Sequence, residues 1–338
     1  MSACAKRPDR DAKSPPRAAL RMSSSGGGTE RAWTVAILVA FALLALLPLL
    51  TARDDVLNFV FLVLLSITLA QSWNIVAGYA GQVNLGHAAF FGLGALTART
   101  LWIAGTPVVI AMAAGTAVAT GFALLIGAAA FRLRGAYFAI GTLALGEILR
   151  TTVGNALPEI STLPAASIAG YRLAPRYYLA LALAALSVLA VAALARSRLG
   201  LGMQAVREDE GAAEATGVSA LGLKLRALAL STALAGAAGG VFAYYHISYY
   251  PSHPFGPGWT FDALLMTFIG GVGTLQGPVL GAVLYVFLKE YLTVRWVDFH
   301  LLIFGALFVA IVLIFPGGLV QALVQAGNRA RRRRPHWY

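Results

Sequence analysis

The sequence predicts an all-α integral membrane protein with about ten transmembrane helices, some of them short or broken. Three observations lead to this fold class. Of the 338 residues, 59% are hydrophobic and only 12% are charged, about half the charged share of a soluble domain. The mean hydropathy is +0.74. Apolar segments also recur along the whole chain, whereas a cleaved secretion signal would give one short segment near the start.

Six segments are apolar over the 17 to 25 residues, or thereabouts, that a helix needs to cross a bilayer. They lie at about 32–52, 56–76, 107–131, 177–195, 227–247 and 299–316. Four further segments are shorter or interrupted by glycine, at about 81–98, 136–153, 259–273 and 278–292. If all of them span, the chain crosses the membrane ten times.

The distribution of positive charge predicts that both termini are cytoplasmic. Four segments, which would all lie inside, hold 7, 2, 5 and 5 Lys or Arg residues, 19 of the 26 in the chain: 1–31, 132–135, 196–226 and 317–338. The predicted outside loops, which include 154–176 and 248–258, hold only Arg53, Arg99, Arg172, Arg176 and Arg295. This asymmetry satisfies the positive-inside rule. The basic runs near both ends are therefore interpreted as orientation signals rather than nucleic-acid contacts.

The chain divides into three parts. Residues 1–31 are basic and rich in Ser, Pro and Gly, which predicts a disordered cytoplasmic tail; translation from Met22 is an alternative for its start. Residues 32–320 form the transmembrane domain, with a long cytoplasmic loop at 196–226. Residues 321–338 form a basic cytoplasmic tail. Cys4 is the only cysteine, so an intramolecular disulfide and a cysteine metal site are excluded.

The most unusual stretch is GYAGQVNLGHAAFFGLGA, residues 78–95, which directly follows an apolar segment. Polar, irregular backbone at membrane depth is tolerated only where protein or a water-filled cavity satisfies it, and transporters break helices around their pathway. Tight helix packing is the other interpretation. The residues assigned to a pathway or to packing are Gly78, Gly81, Gln82, Asn84, Gly86, His87, Gly92 and Gly94.

A second glycine-rich stretch, FIGGVGTLQGPVLGA, occupies residues 268–282. Small residues four apart let helices approach closely, so helix packing is the prediction for Gly273, Gly277 and Gly281, and likewise for Gly236 and Gly240. Two interrupted segments in the two halves of the chain also hint at an internal repeat with a pathway between its copies.

Few ionisable residues lie in apolar surroundings: Glu147 with Arg150, Asp262, and Lys289 with Glu290. A carboxylate inside the membrane can belong to a proton relay. Pairs that neutralise each other near a helix end are the favoured interpretation, because Glu147 and Arg150 share a helix face at a spacing of three.

The loop 196–226 contains REDEGAAEATG, which predicts a short helix that stops at Gly217. Such a helix below a membrane domain suggests a docking element for another protein, and a solvated connector is the alternative. The motifs GxxxxGK[ST], HExxH, CxxC and GxSxG are absent from the sequence. We therefore expect a non-catalytic protein without a cofactor or metal, to which any energy from ATP comes through a partner.

Four blocks in order resemble the branched-chain amino acid ABC transporter permeases, in particular the LivM branch of the LivH/LivM family. They are SWNIVAGYAGQVNLGHAAFFGLGA (72–95), LRGAYFAIGTLALGEILR (133–150), AVREDEGAAEATGV with the following LALSTALAGAAGGVFA (205–243), and FIGGVGTLQGPVLGA (268–282). A closing FPGGL at 315–319 fits as well, and the resemblance covers about residues 55–320.

This resemblance implies a permease subunit of a bacterial inner-membrane importer for branched-chain amino acids. Its expected partners are a second, homologous permease, two cytoplasmic ATPases and a periplasmic solute-binding protein. It implies an ATPase-coupling helix that includes Glu210, Ala212, Ala213, Glu214 and Gly217, and a glycine-rich stretch that shapes the translocation pathway.

Two departures from the family pattern bear on the substrate and the loop. Residues 151–176 lack the Gly-Gly pair that is usual there, and the loop begins RSRLGLGM, where a basic residue commonly follows the first glycine. Urea, short amides and other small organic solutes therefore remain alternatives to branched-chain amino acids. A self-contained ion-coupled secondary transporter, with Glu147 or Asp262 carrying the ion, is the main alternative function, and a channel is a third.

Overall fold

The computed structural model of the chain describes residues 26–51 and 53–295, together with positions 305, 306, 309 and 318. Residues 1–25 of the predicted N-terminal tail, the whole C-terminal tail 321–338 and most of the predicted segment 299–316 lie outside the described residues. Residues 26–31, which were predicted as the end of the N-terminal tail, are helical. Helices account for most of the described chain, in agreement with the predicted all-α class.

The elements follow one another along the chain as thirteen α-helices with two short strands in the part that the structure describes. The first helices are α1 (Gly26–Leu44), α2 (Leu47–Leu50), α3 (Asp54–Asn74, prolonged by a π-helical turn at Ile75–Tyr79), α4 (His87–Ile103), α5 (Val108–Ala130) and α6 (Ala136–Ala156). Then come β1 (Ser161–Thr162), α7 (Ala165–Ala169), α8 (Leu173–Ala195), α9 (Arg198–Glu208), α10 (Glu210–Ala215) and α11 (Ala220–Tyr245). The last are β2 (Ser248–Tyr249), a 3-10 turn (His253–Phe255), α12 (Pro257–Gly270) and α13 (Gln276–Arg295).

Within the described residues, five helical segments are long and apolar enough to cross a membrane, and they match the first five long segments predicted from the sequence. They are Trp33–Leu50, Asp54–Tyr79, Val108–Ala130, Leu173–Ala195 and Ala220–Tyr245. The four shorter predicted segments are helices as well, namely α4, α6, α12 and α13. The all-α membrane class is thus confirmed, while the count of ten crossings and the cytoplasmic location of both ends stay predictions.

Helices α4, α5 and α11 pack together through glycines at which their backbones meet. A Cβ atom built on Gly115 of α5 would lie 2.6 Å from the carbonyl oxygen of Gly94 in α4. One built on Gly236 of α11 would lie 2.7 Å from Cβ of Ala119, and one on Gly240 would lie 2.9 Å from Cγ of Met112. Real Cβ contacts are longer than this, so only glycine allows these helices to approach so closely.

A second group of helices surrounds α3, which packs against α8, α11, α12 and α13. Helices α12 and α13 form a hairpin in which glycines again face backbone: a Cβ on Gly281 would overlap the carbonyl oxygen of Met266, and one on Gly277 would overlap that of Gly271. The lower half of α3, from Ile67 to Asn74, is almost completely buried. This helix therefore lies at the centre of the domain.

At one end of the domain, Ser161 and the carbonyls of residues 243, 246 and 247 surround the side chain of Arg99. We call this arrangement the clamp. Strands β1 and β2 pair antiparallel, with Ser161 opposite Tyr249, which joins the two predicted outside segments 154–176 and 248–258. The sequence analysis placed Arg99 in an outside loop, but it lies in the last turns of α4 and is 2% exposed. Its guanidinium donates to the carbonyls of Ala243, His246, Ile247 and Ser161 and to the Ser161 hydroxyl.

These five hydrogen bonds match the five N–H groups of a guanidinium, so neutral acceptors satisfy the buried cation completely. The loop that contains α9 and α10 lies at the opposite end, because α8 and α11 each run the length of the domain between it and the clamp.

Candidate functional site

The glycine-rich stretch 78–95 contains a true break between two helices. After the π-helical turn of α3 the chain is non-helical from residue 80 to residue 86, and α4 begins at His87. Gly81 has a φ of +70°, a conformation that favours glycine. The indole of Trp73 donates to the carbonyl of Asn84 at 2.9 Å. The non-helical residues therefore run back along the last turns of α3, inside the domain.

Threonines from neighbouring helices satisfy the backbone of this break. The amide of Leu85 donates to the hydroxyl of Thr142 in α6 at 3.1 Å, and the amide of Ala88 donates to that of Thr260 in α12 at 2.8 Å. Both threonines are buried. Interrupted helices inside a membrane need such partners, so these two residues are part of the site although the sequence analysis did not identify them.

Two polar side chains of this stretch, those of Asn84 and His87, are buried among protein groups, whereas Gln82 is half-buried. Asn84 and His87 are each 1% exposed. The Asn84 side-chain oxygen accepts from the amide of Gly86 at 2.9 Å, and His87 Nε2 lies 2.7 Å from the hydroxyl of Ser72. The same hydroxyl is also within hydrogen-bond distance of the carbonyl of Leu69, so the imidazole is attached to the end of α3.

The two glycine-rich stretches contact each other through α3. The Asn74 amide donates to the carbonyl of Thr274 at 2.9 Å, and its oxygen accepts from the amide of Gly273 at 2.8 Å. The Gln71 amide donates to the carbonyl of Leu275 at 2.7 Å. Gln71 and Asn74 were missed in the sequence analysis, although polar residues inside an apolar spanning segment are a usable signal.

A cavity of about 1140 Å³ lies on the other side of the break. From the break it is lined by Val83 and Leu85, and none of the eight residues that the sequence analysis assigned to the stretch 78–95 lines it. Neighbouring side chains of an extended stretch point in opposite directions. The polar Asn84 therefore faces the protein, while the apolar residues on either side of it face the cavity.

Helices α12 and α13 form most of the remaining cavity wall, which is mostly apolar and includes Trp259, Phe261, Leu264, Leu265 and Phe268. His253, Gly256 and Gly305 complete the lining. Asp262 and Lys289 also line it, with Lys289 Nζ 2.6 Å from Asp262 Oδ2. The hydroxyl of Tyr285 donates to the other oxygen, Asp262 Oδ1. Lys289 was grouped with its neighbour Glu290 from the sequence, but its partner is on the other helix of the hairpin.

Glu147 and Arg150 form the predicted pair on α6, where both side chains are about half exposed. The two carboxylates considered for ion coupling, Glu147 and Asp262, are thus each paired with a cation.

The short helix predicted in the loop 196–226 is α10. The carboxylate of Asp209 accepts from the amide of Ala212 at 3.0 Å and caps its start. At its end, Gly217 has a φ of +86°, its amide bonds to the carbonyl of Glu214, and the amide of Val218 bonds to that of Ala213. This is a Schellman motif, which needs the left-handed residue that glycine provides.

Helix α10 is also attached to the membrane domain. Lys224 of α11, whose side chain is only 5% exposed, donates to the Glu210 carboxylate at 2.7 Å. Ala212 and Glu214 are exposed, but Ala213 is 5% exposed and packs into the core of its own chain. The two alanines, both assigned to the coupling helix in the sequence analysis, therefore lie on different faces of α10, because this short helix packs one face against the domain.

Arg207, in the last turn of α9, contacts both glycine-rich stretches. Its Nη1 donates to the carbonyl of Gly78 at the π-helical turn. The same nitrogen would lie 2.7 Å from a Cβ on Gly273. Only one residue, Glu208, separates Arg207 from Asp209, the cap of α10. A single side chain therefore joins the loop to the glycine-rich stretch in each half of the chain.

Membrane helices interrupted around a buried polar region, beside a cavity that holds an ion pair, are features of transport permeases. Comparison with known proteins agrees and is more specific. The chain belongs to the family of permease components of branched-chain amino acid transport systems, whose profile matches residues 55–312.

Three relatives illustrate the similarity. The chain is 30% identical over 319 residues to the high-affinity branched-chain amino acid transport system permease protein LivM of Escherichia coli K12, covering 84% of this chain and 74% of that protein. It is 29% identical over 308 residues to the LivM protein of Salmonella typhimurium, covering 81% and 71%. A probable LivM protein of Methanocaldococcus jannaschii is 27% identical over 132 residues, covering 35% and 38%. No solved structure gives a significant match.

The family and the helices together define this chain as a permease component of a transport system and as a multi-pass protein of the bacterial inner membrane. A permease component of this family functions together with the other subunits of an ABC importer.

Proposed function

We propose that this chain forms the translocation pathway of an ABC importer for branched-chain amino acids or related small polar solutes, together with a second, homologous permease. Two cytoplasmic ATPases drive the transport, and a periplasmic protein delivers the solute. The chain itself is proposed to be non-catalytic and to need no cofactor or metal. The observation that carries the proposal is the fixed position of α10, which directly follows α9, the helix whose Arg207 contacts both glycine-rich stretches.

The construction of α10 supports a docking role. A capped start, a Schellman end and the buried Lys224 all hold six residues in place, which a solvated connector does not need. The exposed surface of α10 presents Ala212 and Glu214 next to Asp209. A small side chain among carboxylates suits a narrow partner groove with basic edges.

Arg207 supports a route from the docked helix to the pathway. When the ATPases close and α10 moves, the guanidinium on α9 moves with it and shifts its contacts at Gly78 and Gly273. Both glycine-rich stretches then respond together, which alternating access around a fixed site requires.

The docking claim is tested by Ala212→Arg in the complete transporter. A large cation on the exposed face should block the groove and leave a charge desolvated, so ATPase co-purification should fall and solute-stimulated ATP hydrolysis should be lost. Ala212→Ser keeps the side chain small and should behave as wild type. Ala213→Arg should instead lower the yield of folded chain, because that position is buried in its own core.

Normal ATPase capture and normal uptake with Ala212→Arg would contradict docking through α10. That result would favour the self-contained secondary transporter, for which the purified chain alone in vesicles would drive uptake under an ion gradient. Arg207→Met separates docking from transmission: ATPases should still bind, while uptake per ATP hydrolysed should fall about tenfold or more, the loss expected for a hydrogen bond to a charged group.

A further inference from the structure

The ion pair between Asp262 and Lys289 lies near the middle of the membrane domain. Asp262 is eight residues before the end of α12 at Gly270, and Lys289 is the fourteenth residue of α13. At 1.5 Å per residue these positions are about 12 Å and about 20 Å from the turn that joins the hairpin. The hydrocarbon core is about 30 Å thick. Charged residues at that depth are costly and usually serve a function.

The cavity has an apolar wall and a charged side, which match the apolar side chain and the zwitterionic backbone of an amino acid. Its walls of Trp259, Leu264, Leu265 and Phe268 suit an apolar side chain, and the charges at one side suit a zwitterionic backbone. Both charged side chains reach the cavity, since Asp262 is 20% exposed and Lys289 is 46% exposed. An α-ammonium and an α-carboxylate are the same two groups that these side chains present to each other.

We propose that Asp262 and Lys289 form a transient binding site for the zwitterionic backbone of an apolar amino acid on its way through the permease. The α-ammonium takes the place of Lys289 Nζ at Asp262 Oδ2, and the released Nζ donates to the α-carboxylate. The exchange leaves the net charge unchanged, and the long flexible stem of lysine allows the small movement. The proposal rests on the importer function proposed above.

Tyr285 positions the carboxylate for this exchange. Its hydroxyl holds Asp262 Oδ1, so the carboxylate keeps its orientation when Lys289 leaves the other oxygen. A cation and an anion that simply stabilise the hairpin would need no cavity of this size beside them. The apolar residues of the break, Val83 and Leu85, line the same cavity. A movement of Arg207 at Gly78 can therefore be transmitted through the break to the amino acid bound in the cavity.

The first test is the neutral pair Asp262→Asn/Lys289→Gln in the full importer reconstituted in proteoliposomes. A purely structural ion pair can be replaced by neutral groups at little cost, whereas a zwitterion loses both of its charged partners. ATP-driven uptake of L-leucine should fall at least tenfold while the complex still assembles. The matched control is Glu147→Gln/Arg150→Gln, a pair on the surface of α6, which should transport at the wild-type rate.

The second test uses Lys289→Gln alone and asks which charge is recognised. L-leucine amide has the ammonium group but no carboxylate, and 4-methylpentanoate has the carboxylate but no ammonium group. Binding of L-leucine is measured on the permease–ATPase complex in the absence of the binding protein. With the wild-type complex, neither compound should compete with L-leucine. With Lys289→Gln, L-leucine amide should compete as well as L-leucine, because Asp262 then lacks its own cation.

Wild-type leucine uptake by the neutral pair would overturn the proposal. If the neutral pair fails to assemble, an unchanged preference for L-leucine over its amide in Lys289→Gln overturns it instead. Failure of the importer function itself looks different, because the wild-type complex would then show no ATP-driven leucine uptake at all.

Discussion

The contact between α4 and α5 can be tested by two substitutions that each add one methyl group to α5. A Cβ at position 115 would lie 2.6 Å from the carbonyl oxygen of Gly94, whereas one at position 121 would have no atom within 4 Å. An ordinary contact begins at about 3.4 Å, so Gly115→Ala must move the two helices apart by about 0.8 Å. Overpacking of this kind costs about 1–3 kcal/mol.

Gly121→Ala is the matched control, and its effect on the free energy of unfolding should have the opposite sign. It replaces an exposed glycine in a helix interior, which should stabilise the chain by about 0.5–1 kcal/mol. The two variants should therefore differ by about 1.5–4 kcal/mol in the free energy of unfolding. Titration of the purified chain with SDS in mixed micelles, followed by far-UV circular dichroism, measures this difference. Equal stability of the two variants, or a stabilising Gly115→Ala, would refute the close approach of α4 and α5.

Two further predictions concern the clamp and the topology. Arg99→Met leaves the carbonyls of the clamp without their donors. Hydrogen–deuterium exchange should therefore rise at least tenfold in residues 157–164 and 246–250, but not in α10. Arg99→Lys has three donors instead of five, so it should restore the protection of these residues only in part. In a Cys4→Ser background, a cysteine at Glu214 should react with an impermeant maleimide only from the cytoplasmic side, and one at Ile160 only from the outside. The reverse labelling pattern would contradict the orientation predicted from the Lys and Arg distribution.

The helices of the domain were predictable because a membrane leaves the chain few choices. An apolar segment in lipid must satisfy its own backbone, which makes a helix the only solution for a single segment. Length and composition therefore identified each of the long helices in the described part of the chain. The boundary of α4 was less predictable: the segment expected at 81–98 is a helix from His87 to Ile103, because Trp73 and Thr142 hold the preceding residues in a non-helical form.

The candidate site depends on contacts that no local pattern contains. Asp262 and Lys289 are 27 residues apart, and they meet only because the turn after Gly270 folds α13 back against α12. The burial of Ala213 likewise depends on how α10 lies against the domain, and its six residues are too few for a hydrophobic periodicity. By contrast, Gly217 could be assigned from sequence, since its role as a helix stop is set by its own backbone conformation.

The hydrogen bonds of α3 have a consequence for how the protein is made. Gln71 and Asn74 belong to an early helix, but their partners at Gly273, Thr274 and Leu275 come about 200 residues later. At about 5–20 residues per second the ribosome needs roughly 10–40 s to reach them. During that time the polar end of α3 lacks its native partners, which is costly in hydrocarbon. The core around the end of α3 is therefore completed only after the α12–α13 hairpin has been synthesised.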